Sequence, residues 1–180
     1  GRVEALEALF GRYKTNMLNF AYRILADRAE AEDATADLFV SMLSKSGVYA
    51  PRAKFSTWAY TVVRNGCINR LRKRRRWRSF TRAHDSEEEG EMEEWQVPDA
   101  GPGPGEQAQR HEVGRWVQAA VGKLPLPQRE AIVLREYHGL SYAEIGEVRG
   151  CSIENVKILI FRAREALRKA LGPIVKEGDA

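Results

Sequence analysis

Apolar residues in the first part of the chain recur at three- and four-residue intervals: Leu6, Leu9, Phe10, Tyr13, Met17, Phe20, Ile24 and Leu25. That spacing lines one side of an α-helix, so a first amphipathic helix is expected up to about Leu25. Asp27, followed three residues later by Glu30, has the pattern of a capping box and opens a second helix through about Lys45. GVYAP breaks the chain. A third helix begins near Phe55–Thr57 and carries Trp58, Val62, Ile68 and Leu71. Further on, Val113, Trp116, Val117, Ala120 and Val121 mark another helix, closed by LPLP. Pro127 suits the first turn of the next, which carries Ala131, Ile132 and Leu134 and stops at Gly139. Ser141 with Glu144 caps a short helix that ends at Gly150, and Ser152 caps the last one. No stretch alternates with a period of two, so the expected fold class is all-α.

The last helix breaks the simplest amphipathic rule. In NVKILIFRAREALRK, Val156, Ile160, Ala163 and Leu167 share one face, with Leu159 at its flank. Ile158 and Phe161 fall on the other face among Lys157, Arg162, Glu165 and Arg168. A short capped helix, a turn containing Gly150 and a longer capped helix make a helix-turn-helix pattern, whose second helix enters the major groove of DNA. The outward face has the chemistry for that task. Lys157 and Arg162 can donate to phosphates or guanine edges, and Ile158 and Phe161 can meet thymine methyl groups.

Charge changes the picture from helices to separate pieces. The net charge of +4 conceals three blocks. Residues 1–82 carry 17 Lys/Arg against 7 Asp/Glu, residues 83–106 carry 9 acids and no Lys or Arg, and residues 107–180 carry 12 bases against 9 acids. Within and just past that block, HDSEEEGEMEEWQVPDAGPGPGEQ (84–107) mixes consecutive acids with Pro and Gly and lacks apolar periodicity, which is the composition of a flexible linker. Two small helical domains are therefore expected, spanning 1–80 and 109–175, with a linker over 81–108.

The basic block ends in RLRKRRRWR, where seven of nine positions are Lys or Arg. Like charges so dense repel one another, and a phosphate backbone relieves the repulsion. Phe55, Trp58, Tyr60, Asn65 and Asn69 precede the run. Aromatic rings, amides and a cationic track suit unstacked single-stranded nucleic acid, although the same rings serve equally well as core. At the start of the second helix, Glu30, Glu32, Asp33 and Asp37 form an acidic patch; the helix dipole accounts for Glu30. Asp33 and Asp37 share a face, which points to a basic protein partner.

These segments resemble a known family. AYRILADRAEAEDATADLF followed by FSTWAYTVVRNGCINRLRKRRRW is similar to the second conserved region of bacterial sigma-70-family factors. LPLPQREAIVLREYHGLSYAEIGEVRGCSIENVKILIFRAREALRKAL is similar to their fourth region. The order and two-domain layout match the extracytoplasmic-function (ECF) group. The resemblance implies a sigma factor that binds core RNA polymerase, directs it to promoters and promotes melting of the −10 element. By position, Glu32, Asp33, Asp37 and Phe39 lie in the segment that docks on the clamp helices of the largest polymerase subunit. Phe55, Ser56, Thr57, Trp58 and Asn65 match the segment that opens the −10 element and holds a flipped base. Asn69, Arg72 and the bases after them match the part gripping that element's upstream edge. Ser152, Asn155, Lys157, Ile158, Phe161 and Arg162 match the helix that reads the duplex −35 element. An anti-sigma partner is implied as well, often at the inner face of a membrane. Two departures stand out: Ala36 replaces the Gln of many members, and NVKILI replaces a common Thr-Val-Lys-Ser-Arg-Leu.

Other classes fit less well. A free-standing helix-turn-helix repressor explains the last domain but neither the acidic patch nor the aromatic-then-basic helix. An enzyme lacks a nucleophile with activating neighbours, and no cofactor, metal or small-molecule substrate is implied. Cys67 and Cys151, each within a helical pattern, read as small buried hydrophobes, and His84, His111 and His138 are too scattered for zinc. GRVEALEALFGRY reads as helix rather than signal peptide, and no apolar run approaches the roughly 20 residues of a membrane span, so a reducing cytoplasm is the expected compartment.

Overall fold

A computed structural model describes residues 2–44, 54–81 and 104–177. They form α1 (Arg2–Leu25), α2 (Arg28–Ser44), α3 (Phe55–Thr81), α4 (Pro104–Gly122), α5 (Leu126–Glu136), α6 (Tyr142–Arg149) and α7 (Ile153–Glu177). No strand occurs among the described residues, as the missing two-residue period led us to expect. The break at GVYAP and residues 82–103 of the acidic stretch lie outside them. α4 begins at Pro104, so 104–108, assigned to the linker by composition, are helical. Proline is tolerated at a first helical position because it has no N–H to leave unpaired.

The chain divides into two compact units, one built on α1–α3 and the other on α4, α5, the first turns of α6, and α7. In the first, all three helix pairs pack together. Met17, Phe20 and Ile24 of α1, Ala31, Ala34 and Leu38 of α2, and Ala59, Val63 and Cys67 of α3 are buried. Each large apolar side chain so buried contributes about 1.5–3 kcal/mol, and the alanines let the helix axes approach closely. Phe20 meets Tyr60 edge to face at 5.5 Å. Burial drives the Tyr60 phenol well above its ordinary pKa.

α1 ends at an unusual joint. Ala26 adopts φ 52°, a left-handed conformation, and its amide donates to the Tyr22 carbonyl at 2.8 Å. Asp27 then caps α2, its carboxylate accepting from the Glu30 amide at 2.8 Å. The other half of the expected capping box is not made. Glu30 faces Arg74 of α3 instead, accepting from its guanidinium at 3.0 Å. A tertiary cation has outcompeted the local amide.

In the second unit, α5 is buried on several sides: Glu130, Ala131, Ile132, Val133 and Leu134 are all covered. It packs on α7 through Val156, Ile160 and Ala163, which are buried, and α7 also packs on α4. Arg129 holds the corner between α4 and α5. Its guanidinium donates to the carbonyls of Gly122 and, at 3.1 Å, of Leu124, groups that the end of α4 leaves without helical partners. Burial lowers the pKa of Arg129 from its ordinary value.

The caps around α6 form as expected. The Glu144 carboxylate accepts from the Ser141 amide at 2.9 Å while the Ser141 hydroxyl accepts from the Glu144 amide at 3.2 Å. At the other end Gly150 has φ 65°, the Cys151 amide donates to Gly146 at 3.0 Å and the Gly150 amide to Glu147 at 3.3 Å. These are the two bonds of a Schellman termination. Gly146 is needed there as well, because a Cβ on it would lie 2.8 Å from the Cys151 carbonyl oxygen. Cys67 is buried as expected. Cys151 is not: it sits half-exposed in the turn between α6 and α7 rather than in a helix, because Gly150 ends α6 one residue earlier.

Two outcomes test this account. Ala26→Gly relieves the left-handed strain and is expected to raise stability by about 1 kcal/mol in thermal or urea unfolding. Gly146→Ala forces backbone against side chain and is expected to cost about 1–3 kcal/mol in the same measurement.

Candidate nucleic-acid interface

The outward face of α7 begins at its cap. The Ser152 hydroxyl accepts from the Asn155 amide at 3.2 Å, which fixes where the helix starts. From there Val156, Ile160 and Ala163 turn inward, while Asn155, Lys157 and Arg162 are exposed. Ile158 is 50% exposed and Phe161 67%. Ile153, at 41%, lies near Lys157 on the same outer surface. Sequence reading passes over Ile153 because it sits beside the cap, where a helical period has barely begun. Lys157 and Arg162 take no ion-pair partner among the described residues, so both charges are available. Arg164, by contrast, pairs with Glu136 of α5 at 2.6 Å, and Arg168 pairs with Glu165 along the helix. Among the basic residues of α7, Lys157 and Arg162 thus face solvent unpaired, whereas Arg164 and Arg168 are paired.

The site residues expected in the first unit lie on α2 and α3. Phe55 is half-buried, its ring 5.0 Å from Tyr13 and 5.7 Å from the half-buried Trp58. Ser56 is partly exposed beside them, and Thr57 is buried at 3% exposure. Tyr60 is core. Asn65, Asn69 and Arg72 are exposed at four- and three-residue spacings, so they run along one stripe of α3. The structure therefore brings the amides and Arg72 together, and sets the aromatic pair in the first turn of the same helix.

On α2 the four expected docking residues have different surroundings. Phe39 is buried against Phe10, ring centroids 4.4 Å apart. Glu32 pairs with Arg28 at 3.0 Å. Asp37 accepts from Arg70 of α3 at 2.8 Å. Asp33 is exposed and takes no partner among the described residues.

Arg74 is the residue that sequence reasoning missed. It lies within the basic run, where charge alone makes each residue look alike. Its guanidinium reaches Asp27 at 3.1 Å and Glu30 at 2.9 Å, and donates to the Leu25 carbonyl at 3.1 Å. One side chain thus joins the end of α1, the start of α2 and the middle of α3. The available signal was the match between the acidic start of α2 and the cations of α3, whose meeting only the fold can establish. No group of three His, Cys, Asp or Glu able to hold a metal ion occurs among the described residues.

The separate geometry of the two units has a counterpart in known proteins. Residues 9–77 match the family model of sigma-70 region 2, and residues 114–167 match that of sigma-70 region 4. The RNA polymerase sigma-H factor of Pseudomonas aeruginosa is 32% identical over 181 residues, covering 98% of this chain and 91% of that protein. The ECF RNA polymerase sigma factor SigW of Bacillus subtilis is 32% identical over 171 residues, covering 95% and 91%. Among solved structures, the sigma factor RpoE of Bartonella quintana, in complex with the anti-sigma factor NepR, shares the fold. Its TM-score is 0.74 at 22% identity, over 94% of this chain and 98% of that one. CnrH, in complex with the cytosolic domain of CnrY, gives a TM-score of 0.66 at 24% identity, over 96% and 91%. A three-helix unit carrying region 2 and a helix-turn-helix unit carrying region 4, in that order, make this chain a member of the sigma-70 family, an ECF-group factor that acts with RNA polymerase in promoter-specific transcription initiation.

Proposed function

We propose that the chain docks on core polymerase through α2, captures unpaired bases of the −10 element with the first half of α3, and reads the −35 duplex with α7. One observation carries the reading of α7: Ile153, Ile158 and Phe161 are exposed beside the unpaired Lys157 and Arg162. Apolar side chains clustered on a charged helix face cost little if that face meets thymine methyl groups and excludes water from them. Recognition of the −35 element then leans on methyl contacts, with Lys157, Arg162, Asn155 and the capped end at Ser152 binding phosphates or base edges.

In the first unit, Phe55 and Trp58 supply ring faces for an unstacked base. Ser56 and Asn65 supply hydroxyl and amide groups for its edge, and Thr57 supports them from within. Asn69 and Arg72 continue the contact toward duplex DNA. Melting draws on binding free energy alone, so no step requires nucleotide hydrolysis or a cofactor. Asp33 is the carboxylate of α2 best suited to a cation on polymerase, since Glu32 and Asp37 are already paired. Phe39 shapes that face from beneath. RpoE and CnrH were each solved with a second protein, an anti-sigma factor in the case of RpoE. That likeness supports binding of this chain by an anti-sigma protein; its place in the cytoplasm, with the anti-sigma protein at the inner membrane face, is part of the same proposal.

Reconstitution with core polymerase tests the whole reading: promoter-dependent initiation is expected, and tight duplex binding without polymerase plus no effect on initiation would favour a repressor. Asp33→Arg is expected to weaken polymerase binding at least about tenfold, or about 1.4 kcal/mol, without lowering thermal stability. Unchanged affinity would remove Asp33 from the interface. For α7, Ile158→Ala is expected to lower preference for a thymine-containing −35 site about fourfold, the worth of one lost CH2 contact at about 0.8 kcal/mol. Comparing methylated and methyl-free pyrimidine at that site measures it.

A further inference from the structure

By composition the basic run of α3 is one cationic block, yet its arginines lie on different faces of the helix. Arg70 and Arg74, four apart, point toward α2. Arg70 is 22% exposed and held by Asp37, with a second contact to the Gly66 carbonyl at 3.4 Å. Arg74 is 31% exposed and engaged by Asp27, Glu30 and the Leu25 carbonyl. Their charges are spent inside the protein.

Asn69, Arg72, Arg75, Arg76 and Ser79 line a separate open cleft on the other side of the helix. All five are exposed. Arg72, Arg75 and Arg76 have no carboxylate partner among the described residues. With Asn65, the spacings 65, 69, 72, 76 and 79 follow a four-three-four-three rhythm, which is one continuous stripe on a helix. The stripe is ordered along its length: amides first, then guanidinium groups, then a hydroxyl. From Arg72 to Ser79 the helix rises about 10 Å, close to the rise of about three nucleotides of one strand.

We propose that the phosphate contacts of this run are made by Arg72, Arg75 and Arg76, with Ser79 at the end of the track, and that Arg70 and Arg74 are positioning residues that bind no DNA. This rests on the reading of α3 as the −10-binding helix; it narrows the basic residues after Arg72 to Arg75 and Arg76, adds Ser79, and removes Arg70 and Arg74. The amide end of the stripe addresses bases and the guanidinium end addresses the backbone of the adjoining duplex. Arg70 and Arg74 set the angle of that stripe by fixing α3 against α2, the helix proposed to face polymerase. They also screen the acids of α2, which would otherwise repel the approaching strand.

Salt dependence separates the two classes, because each phosphate contact releases counterions and a positioning residue releases none. The probe is a fork-junction DNA carrying the promoter recovered from a random pool by the reconstituted polymerase complex, titrated from low to moderate salt. Arg75→Gln and Arg76→Gln are each expected to flatten the slope of log affinity against log salt by about one, with unchanged melting temperature of the free chain. Arg70→Gln and Arg74→Gln are expected to keep the wild-type slope, bind with lower affinity at every salt concentration, and melt at lower temperature. A flattened slope for Arg74→Gln, or an unchanged slope for Arg75→Gln and Arg76→Gln together, would overturn the division. Arg75 and Arg76 are exposed and unpaired, so their variants decide the question even if an Arg74 variant fails to fold. Failure of the wild-type chain to bring polymerase to any promoter would overturn the functional reading itself, a result distinct from a wrong assignment of faces.

Discussion

Seven cations in nine residues repel one another along a helix, and a packed neighbour that supplies negative charge offsets part of that repulsion. α2 does so. Asp27, Glu30 and Asp37 occupy the side of α2 that meets α3, and two arginines of the run take them up. Such partly exposed pairs are individually worth under about 1 kcal/mol, so the net gain is modest. Their greater effect is on orientation. Arg74 meets two carboxylates and a carbonyl from the joint between α1 and α2, and few rotations of α3 would satisfy all three. The remaining arginines are thereby turned outward in a fixed register.

The second unit reaches the same end by backbone means. α7 must project its first turns away from the core, and the turn before it is short. Gly150 supplies the left-handed residue, Gly146 lets the returning backbone pass close, and Ser152 restarts the helix three residues short of Asn155. Arg129 closes the preceding corner by satisfying carbonyls that the end of α4 exposes. In both units an arginine serves to complete the ends of helices. Charge by itself is therefore a poor guide to which cations stay unpaired.

The periodic features were legible from the residues alone. The stripe Met17–Phe20–Ile24, the Ser141–Glu144 box, the stop at Gly150 and the inward face of Val156, Ile160 and Ala163 all appear at the expected positions. Each depends on neighbours within four residues, where the helix geometry is the same in any protein. The outward placement of Ile158 and Phe161 was legible for the same reason, since those inward positions left only the other side. The start of α4 at Pro104 was not, because acidic Pro/Gly composition resembles a linker whether or not its last turns are helical.

What the sequence by itself determined is the set of helices, most of their caps and the two faces of α7, because these follow from a 3.6-residue period and from hydrogen bonds that close locally. Only the tertiary structure decided which charges remain free. Glu30 looked like half of a local box, and Arg74 looked like one of seven equivalent cations; they meet across 44 residues of chain. Asp37 and Arg70 meet across 33. Tyr60, Phe55 and Trp58 looked alike as aromatics, yet packing buried the first and left the other two half-buried. Pairing and burial depend on distances between helices, and a one-dimensional pattern does not contain those distances until the cores of α1, α2 and α3 have closed.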